Sequence, residues 1–218
     1  MSLNVERARF NMIEQQVRPW DVLDARVLAV LGEVRRENYV DAAHRQLAFA
    51  DLELPLAHGE SMMKPVVEGR VLQALDLRAG ESVLEIGTGS GFLTACLAHL
   101  GGEVLSIEQH ADLAATARER LQRDGITNAK VDVAEAVLAF EPGREFDAVV
   151  LTGAVYALPE RFRSWLKPGG RLFAVVGESP VQQAIVFTRD GTTVRETSLF
   201  ETDLAYLTNA APPKRFSL

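Results

Sequence analysis

The sequence predicts an α/β fold: a doubly wound, mostly parallel sheet of seven strands, with an antiparallel strand at one edge and helices ahead of it. Three observations carry this. From residue 82 onward, short apolar strands alternate with helical stretches, a pattern that requires parallel strands covered on both faces. The first strand runs through VLEIGTGSGF (83–92) into a glycine-rich turn and a helix. Near the C-terminus, Asp190-Gly191 joins two strands as a hairpin. The 218 residues, 47% hydrophobic and 24% charged, fit one domain, 1–218. Within it, N-terminal helices and a loop take 1–65, the α/β core 66–208 and a surface tail 209–218.

Residues 3–17 form a helix with Val5, Phe10, Ile13 and Val17 on one face, and Arg18-Pro19 ends it. Arg7, Arg9 and Arg18 read as its solvated face, and Trp20 and Trp165 as packing residues. Asp21 is the expected N-cap of a second helix, 22–34, which buries Val27, Leu28, Val30 and Leu31. A short helical piece covers 41–47. Residues 48–65, AFADLELPLAHGESMMKP, have no clean period and contain Pro55, Gly59 and Pro65. They form an ordered loop or short extended pieces, and such loops often carry function. A helix over 66–77 leads to strands 82–86, 103–108, 129–133, 146–151, 170–176, 183–189 and 193–201. Helices 92–100, 111–124, 134–139 and 159–166 lie between the first five, and the turn Lys167-Pro168-Gly169-Gly170 precedes the fifth.

The net charge of −7 argues against a surface built for nucleic-acid phosphates or anionic lipid. Cys96, the only cysteine, falls among apolar helical residues and reads as a core thiol. The four histidines are scattered, with no CxxC or HExxH, so no metal site is expected. The charged N-terminal segment has no apolar run long enough for a signal peptide or a membrane span, so a cytoplasmic protein is expected. Nothing in the chain sets an oligomeric state.

The turn after the first strand narrows the ligand. Backbone approaches a ligand closely where glycine leaves no side chain in between. A dinucleotide turn would place Gly or Ala where Phe92 stands, and Glu85 at the strand end would repel a pyrophosphate. The pattern Glu85-x-Gly87-Thr88-Gly89-Ser90-Gly91 resembles the first motif of the S-adenosylmethionine-dependent methyltransferases. That ligand has no phosphate and carries cationic ammonium and sulfonium groups, which a carboxylate suits. Glu108 ends the next strand, 23 residues after Glu85, where a carboxylate can accept both ribose hydroxyls. Glu135 follows the third strand, where methyltransferases commonly carry an acid that meets the adenine amino group. Each acid alone reads as a solvated helix-start residue; the three together with the turn favour S-adenosylmethionine over NAD.

Over nearly its full length the chain resembles the protein-L-isoaspartate O-methyltransferase family. LEIGTGSGF, SIE, FDAVVLTGA and LKPGGRLFAVVG follow that family in order and spacing. Residues 48–65 are similar to its stretch ending in Gly-Gln-Thr-Ile-Ser-x-Pro, with Phe49, Asp51, Pro55, His58, Gly59 and Pro65 in register. The chain departs at Glu60 (family Gln), Ser61 (Thr), Met62 (Ile) and Met63, the position of the family's active-site Ser. Ala134-Glu135-Ala136 replaces the usual Gly-Asp-Gly.

The resemblance implies a Rossmann-like methyltransferase sheet with an unusual order of its last strands. It also implies methylation of the free carboxylate of L-isoaspartyl residues in damaged proteins or peptides, leaving S-adenosyl-L-homocysteine. Ser61 could then replace the missing hydroxyl, with His58, Glu60 and Thr152 near the acceptor. Two other readings stay open: another acceptor, such as a small carboxylate or a modified peptide, or a non-catalytic S-adenosylmethionine-binding protein.

Overall fold

A computed structural model describes residues 4–213. One seven-stranded sheet organises it. Its strands are β1 (Val83–Ile86), β2 (Val104–Glu108), β3 (Ala129–Val133), β4 (Phe146–Val155), β5 (Leu166–Glu178), β6 (Val181–Asp190) and β7 (Thr193–Thr202). Their spatial order is β3-β2-β1-β4-β5-β6-β7. Pairing is parallel from β3 to β5, while β6 runs antiparallel to both β5 and β7. The helices are α1 (Val5–Met12), α2 (Ala25–Glu33), α3 (Pro65–Leu75), α4 (Phe92–Leu100), α5 (Ala111–Arg123) and α6 (Glu160–Ser164).

The two faces of the sheet make two cores, and the strand period sorts side chains between them. Val83, Ala148, Val150, Phe173 and Val175 pack with Leu31, Leu72, Phe92 and Leu97 from α2, α3 and α4. Their alternates Leu84, Val149, Leu151, Leu172 and Ala174 pack with Phe162 and Trp165 on the other face. β1 is buried along its whole length, as a strand covered on both faces must be. Cys96 is fully buried within the first core. None of the described helices is long and apolar enough to cross a membrane.

Several local features differ from the sequence reading. Pro19 does not end the first helical run. α1 passes into a π turn at Ile13–Val17 and then a 3-10 turn at Arg18–Trp20, where a proline in the first turn gives up no hydrogen bond. Asp21 closes that turn as its C-cap, with φ of 60°, and is not the N-cap of α2; Asp24 is, its carboxylate accepting from the Arg26 N–H at 2.8 Å. The Gln73 side chain explains the shift. It accepts from the N–H groups of Leu23 (2.6 Å) and Asp24 (3.0 Å) and donates to the Asp21 carbonyl, which keeps 21–24 out of the helix.

Phe10 and Trp20 are exposed, whereas Arg9 is buried, paired with Glu6 and Glu37 and lying over the Phe49 ring. Of 41–47, only Arg45–Leu47 is helical, as a single 3-10 turn. Residues 134–139 form a turn rather than a helix, because the Glu135 carboxylate takes the N–H groups of Val137 and Leu138. Lys167-Pro168-Gly169-Gly170 bulges out within β5 instead of preceding it: Leu166 pairs with Phe146 and Arg171 with Ala148. The tail expected over 209–218 lies outside the described residues from 214 onward.

Candidate active site

A cleft of about 910 Å³, including space open to solvent, lies over the carboxyl ends of β1, β2 and β4. Ligands bind at this end of open α/β sheets. The glycine turn forms one wall. Gly87, Gly89 and Gly91 all have positive φ (96°, 52° and 85°). At Gly87 a side chain is also blocked by space, since a Cβ would stand 2.2 Å from the Thr152 hydroxyl oxygen. Thr152 donates to the carbonyls of Ile86 (3.0 Å) and Gly87 (2.7 Å), so it lines the cleft while clasping β4 to the turn.

The sequence-expected acids separate here. Glu108 and Glu135 line the cleft. Glu108 accepts from the N–H of Gly89 (2.8 Å) and of His110 (3.0 Å), which fixes its plane. Glu135 is fixed in the same way by the N–H groups of Val137 (3.0 Å) and Leu138 (2.7 Å). A carboxylate oxygen held by one N–H keeps a second lone pair for a ligand hydroxyl or amino group.

Glu85 does not line the cleft. It is fully buried, and one oxygen accepts from the hydroxyls of Thr94 and Ser106, each at 2.5 Å. Ser106 in turn contacts the Thr88 hydroxyl of the glycine turn at 2.5 Å. Among the described residues, the other Glu85 oxygen has no partner. Burial pushes this carboxyl up to about 8, aided by repulsion from Glu108 and opposed by the two hydroxyls. Its place is under the turn, holding it up from below.

The opposite wall comes from residues 48–65, which fold as a minimal hairpin pairing Leu54–Pro55 with Ser61–Met62. Glu60, Ser61, Met62 and Met63 line the cleft. The Ser61 hydroxyl makes one long bond, 3.3 Å, to the Glu53 carboxylate. The Glu60 carboxylate faces Gln109 Nε2 at 3.4 Å and His110 Nε2 at 3.5 Å. His58 stands outside the cleft lining, bonded to Asp112 at 2.9 Å and stacked on His110 with ring centres 4.0 Å apart.

Two parts of the cleft carried no signal in the sequence. Glu68, on α3, lines it although the residue is almost fully buried, and burial lifts its carboxyl to about 7 despite the pull of Arg36. Residues 204–208 close one side. They are held by backbone bonds to Ala154, by Gln182 on the Leu204 peptide group, and by Tyr206, which donates to the Gly177 carbonyl at 2.9 Å. Four carboxylates line the cleft (Glu60, Glu68, Glu108, Glu135) and, among the described residues, no Lys, Arg or His does. That balance suits a cationic ligand.

Comparison with known proteins agrees with this picture. The sequence profile described as protein-L-isoaspartate(D-aspartate) O-methyltransferase matches residues 8–209. A Magnetococcus marinus protein named protein-L-isoaspartate O-methyltransferase is 40% identical over 186 residues, covering 85% of this chain and 81% of its own length. A Methanoculleus marisnigri protein of the same name is 36% identical, covering 82% and 81%. The fold is similar to that of a Plasmodium falciparum chain described as a protein-L-isoaspartate O-methyltransferase, solved with S-adenosyl-L-homocysteine. Their TM-score is 0.81 and their identity 21%, with 95% of this chain and 99% of that one covered.

Proposed function

The chain belongs to the protein-L-isoaspartate(D-aspartate) O-methyltransferase family, and from that premise we propose that it methylates the free carboxylate of L-isoaspartyl residues in damaged proteins or peptides, with Ser61 orienting the acceptor. When bound, S-adenosylmethionine would supply a methyl group on a sulfonium, which a carboxylate oxygen of the acceptor would take as the carbon–sulfur bond breaks, leaving S-adenosyl-L-homocysteine. The acceptor has a pKa near ~4 and is already an anion at neutral pH, so no general base is needed. What the protein must supply is placement and exclusion of water.

The residues divide that work. The Gly87–Gly91 turn offers backbone with no side chain in the way, and Glu108 and Glu135 would take the ribose hydroxyls and the adenine amino group. The acidic lining favours the cationic end of the cofactor, while Leu56, Met62, Met63 and Leu207 keep water out. Ser61 is the hydroxyl on the hairpin wall, two positions from Met63, where the family carries its Ser. Its bond to Glu53 is long enough to be exchanged for one to the acceptor. Met63 leaves the site short of a neutral hydrogen bond, roughly 0.5–1.5 kcal/mol, so a slower enzyme is expected rather than an inactive one. Treating 1–218 as one catalytic unit, in the cytoplasm, is part of the same proposal.

The observation that carries this reading is the joining of the glycine turn, Glu108, Glu135 and Ser61 around one cleft. The test is methyl transfer from labelled S-adenosylmethionine to an isoaspartyl peptide against its normal aspartyl twin. Turnover on the isoaspartyl form alone is expected. Met63→Ser should raise that rate about tenfold and Ser61→Ala should lower it by a similar factor. Cofactor binding without turnover on either peptide would sink the reading.

A further inference from the structure

Arg36 has no solvent exposure, and its donors end on separate parts of the acceptor side. Nε donates to the Ala48 carbonyl at 2.8 Å, at the start of the 48–65 loop. One terminal nitrogen donates to the Met63 carbonyl, also at 2.8 Å, near the end of that loop. The other pairs with the Glu68 carboxylate on α3. The guanidinium lies over the Phe92 ring, 4.9 Å from its centre, and Phe92 opens α4 directly after the glycine turn. One planar group therefore touches both ends of the acceptor loop, the helix after it and the helix that follows the cofactor turn.

Stability alone is a poor account of such a pair. Burying two charges costs about as much as their attraction returns, and apolar residues of equal volume often do as well or better. The rigid fork of a guanidinium supplies direction, which apolar packing does not. We infer that the buried Arg36–Glu68 pair positions the acceptor wall, holding Ser61–Met63 in register with the glycine turn. Arg36 is thus a positioning residue, acting through the Met63 backbone where no hydroxyl stands on the side chain. The inference rests on the acceptor site proposed above, with two readouts that need no turnover.

The experiment uses full-length Glu68→Gln and Arg36→Lys, followed by amide hydrogen exchange, calorimetry with S-adenosylmethionine and steady-state kinetics on the isoaspartyl peptide. Amides of 60–63 should exchange faster while those of 87–91 stay unchanged. In Arg36→Lys, which leaves the cleft lining intact, the cofactor Kd should stay within about twofold while kcat falls about 10- to 100-fold, the scale of a small misplacement of the reacting groups. In Arg36→Ala, added guanidinium ion should restore part of kcat. Unchanged exchange at 60–63 in Glu68→Gln overturns the inference, as does, in Arg36→Lys, loss of cofactor affinity equal to the loss of kcat. If Arg36→Lys does not fold, Glu68→Gln decides alone. If the wild type methylates no isoaspartyl peptide, the functional reading fails, while the exchange data still judge the positioning role.

Discussion

Glu85 shows what a single residue's identity conveys and what it hides. Its type and place at the end of β1 mark the motif, but its carboxyl faces Thr94 and Ser106 rather than the cleft. The sequence could not show this, because it depends on hydroxyls that the neighbouring strand β2 and the helix α4 bring to Glu85 in the fold. Burial gives it a testable signature. Its folded value of about 8 lies above its ordinary 4.5, so the folded state holds a proton that the unfolded state has released. The resulting stability is complete below about pH 4.5 and is lost as pH climbs to about 8. Wild type should therefore lose stability relative to Glu85→Gln between about pH 5 and pH 8, by an amount on the order of a few kcal/mol. Thermal unfolding of both proteins across that range checks this; parallel profiles would mean that Glu85 titrates normally. Glu108 and Glu135 were legible as cleft residues because a parallel sheet brings its carboxyl ends together.

Among the elements, those with strong periodicity were legible almost to the residue: the helix 92–100 and the strand 129–133 stand as read. Misreadings cluster where a side-chain bond to the backbone overrides the period, as the distant Gln73 does for 21–24 and the local Glu135 for 134–139. The 204–208 segment was invisible for a related reason. It has no period of its own and takes its shape from Gln182, a fully buried side chain that donates to the Leu204 carbonyl (3.2 Å) and accepts from its N–H (2.8 Å). Replacing Gln182 with Ala leaves both backbone groups without partners, a cost of about 1–3 kcal/mol for each buried group. Gln182→Ala should lower the melting temperature and weaken S-adenosylmethionine binding, since 204–208 lines the cleft. Calorimetry showing unchanged affinity would mean that the bonds to Ala154 and Gly177 hold the segment unaided.

For the whole molecule, the doubly wound sheet was readable from alternation alone, whereas the order of its strands was not. Alternation sets which strands are parallel; it does not set which ones are neighbours. The order matters beyond architecture. From β4 through β3 the strands are joined by crossovers, and β1 sits between β2 and β4. On the other side, β5, β6 and β7 are neighbours both along the chain and in space, joined as antiparallel hairpins. Contacts close in sequence cost little loop entropy and form early. This lopsided layout gives the protein a direction of assembly: the hairpin side can zip before the cofactor side has closed its long loops. In pulse-labelled refolding, amides of 172–202 should gain protection before those of 83–86 and 104–108. Simultaneous protection of both halves would instead indicate a nucleus spanning the sheet. A refolding chain that follows the expected course completes its acceptor and cofactor walls last.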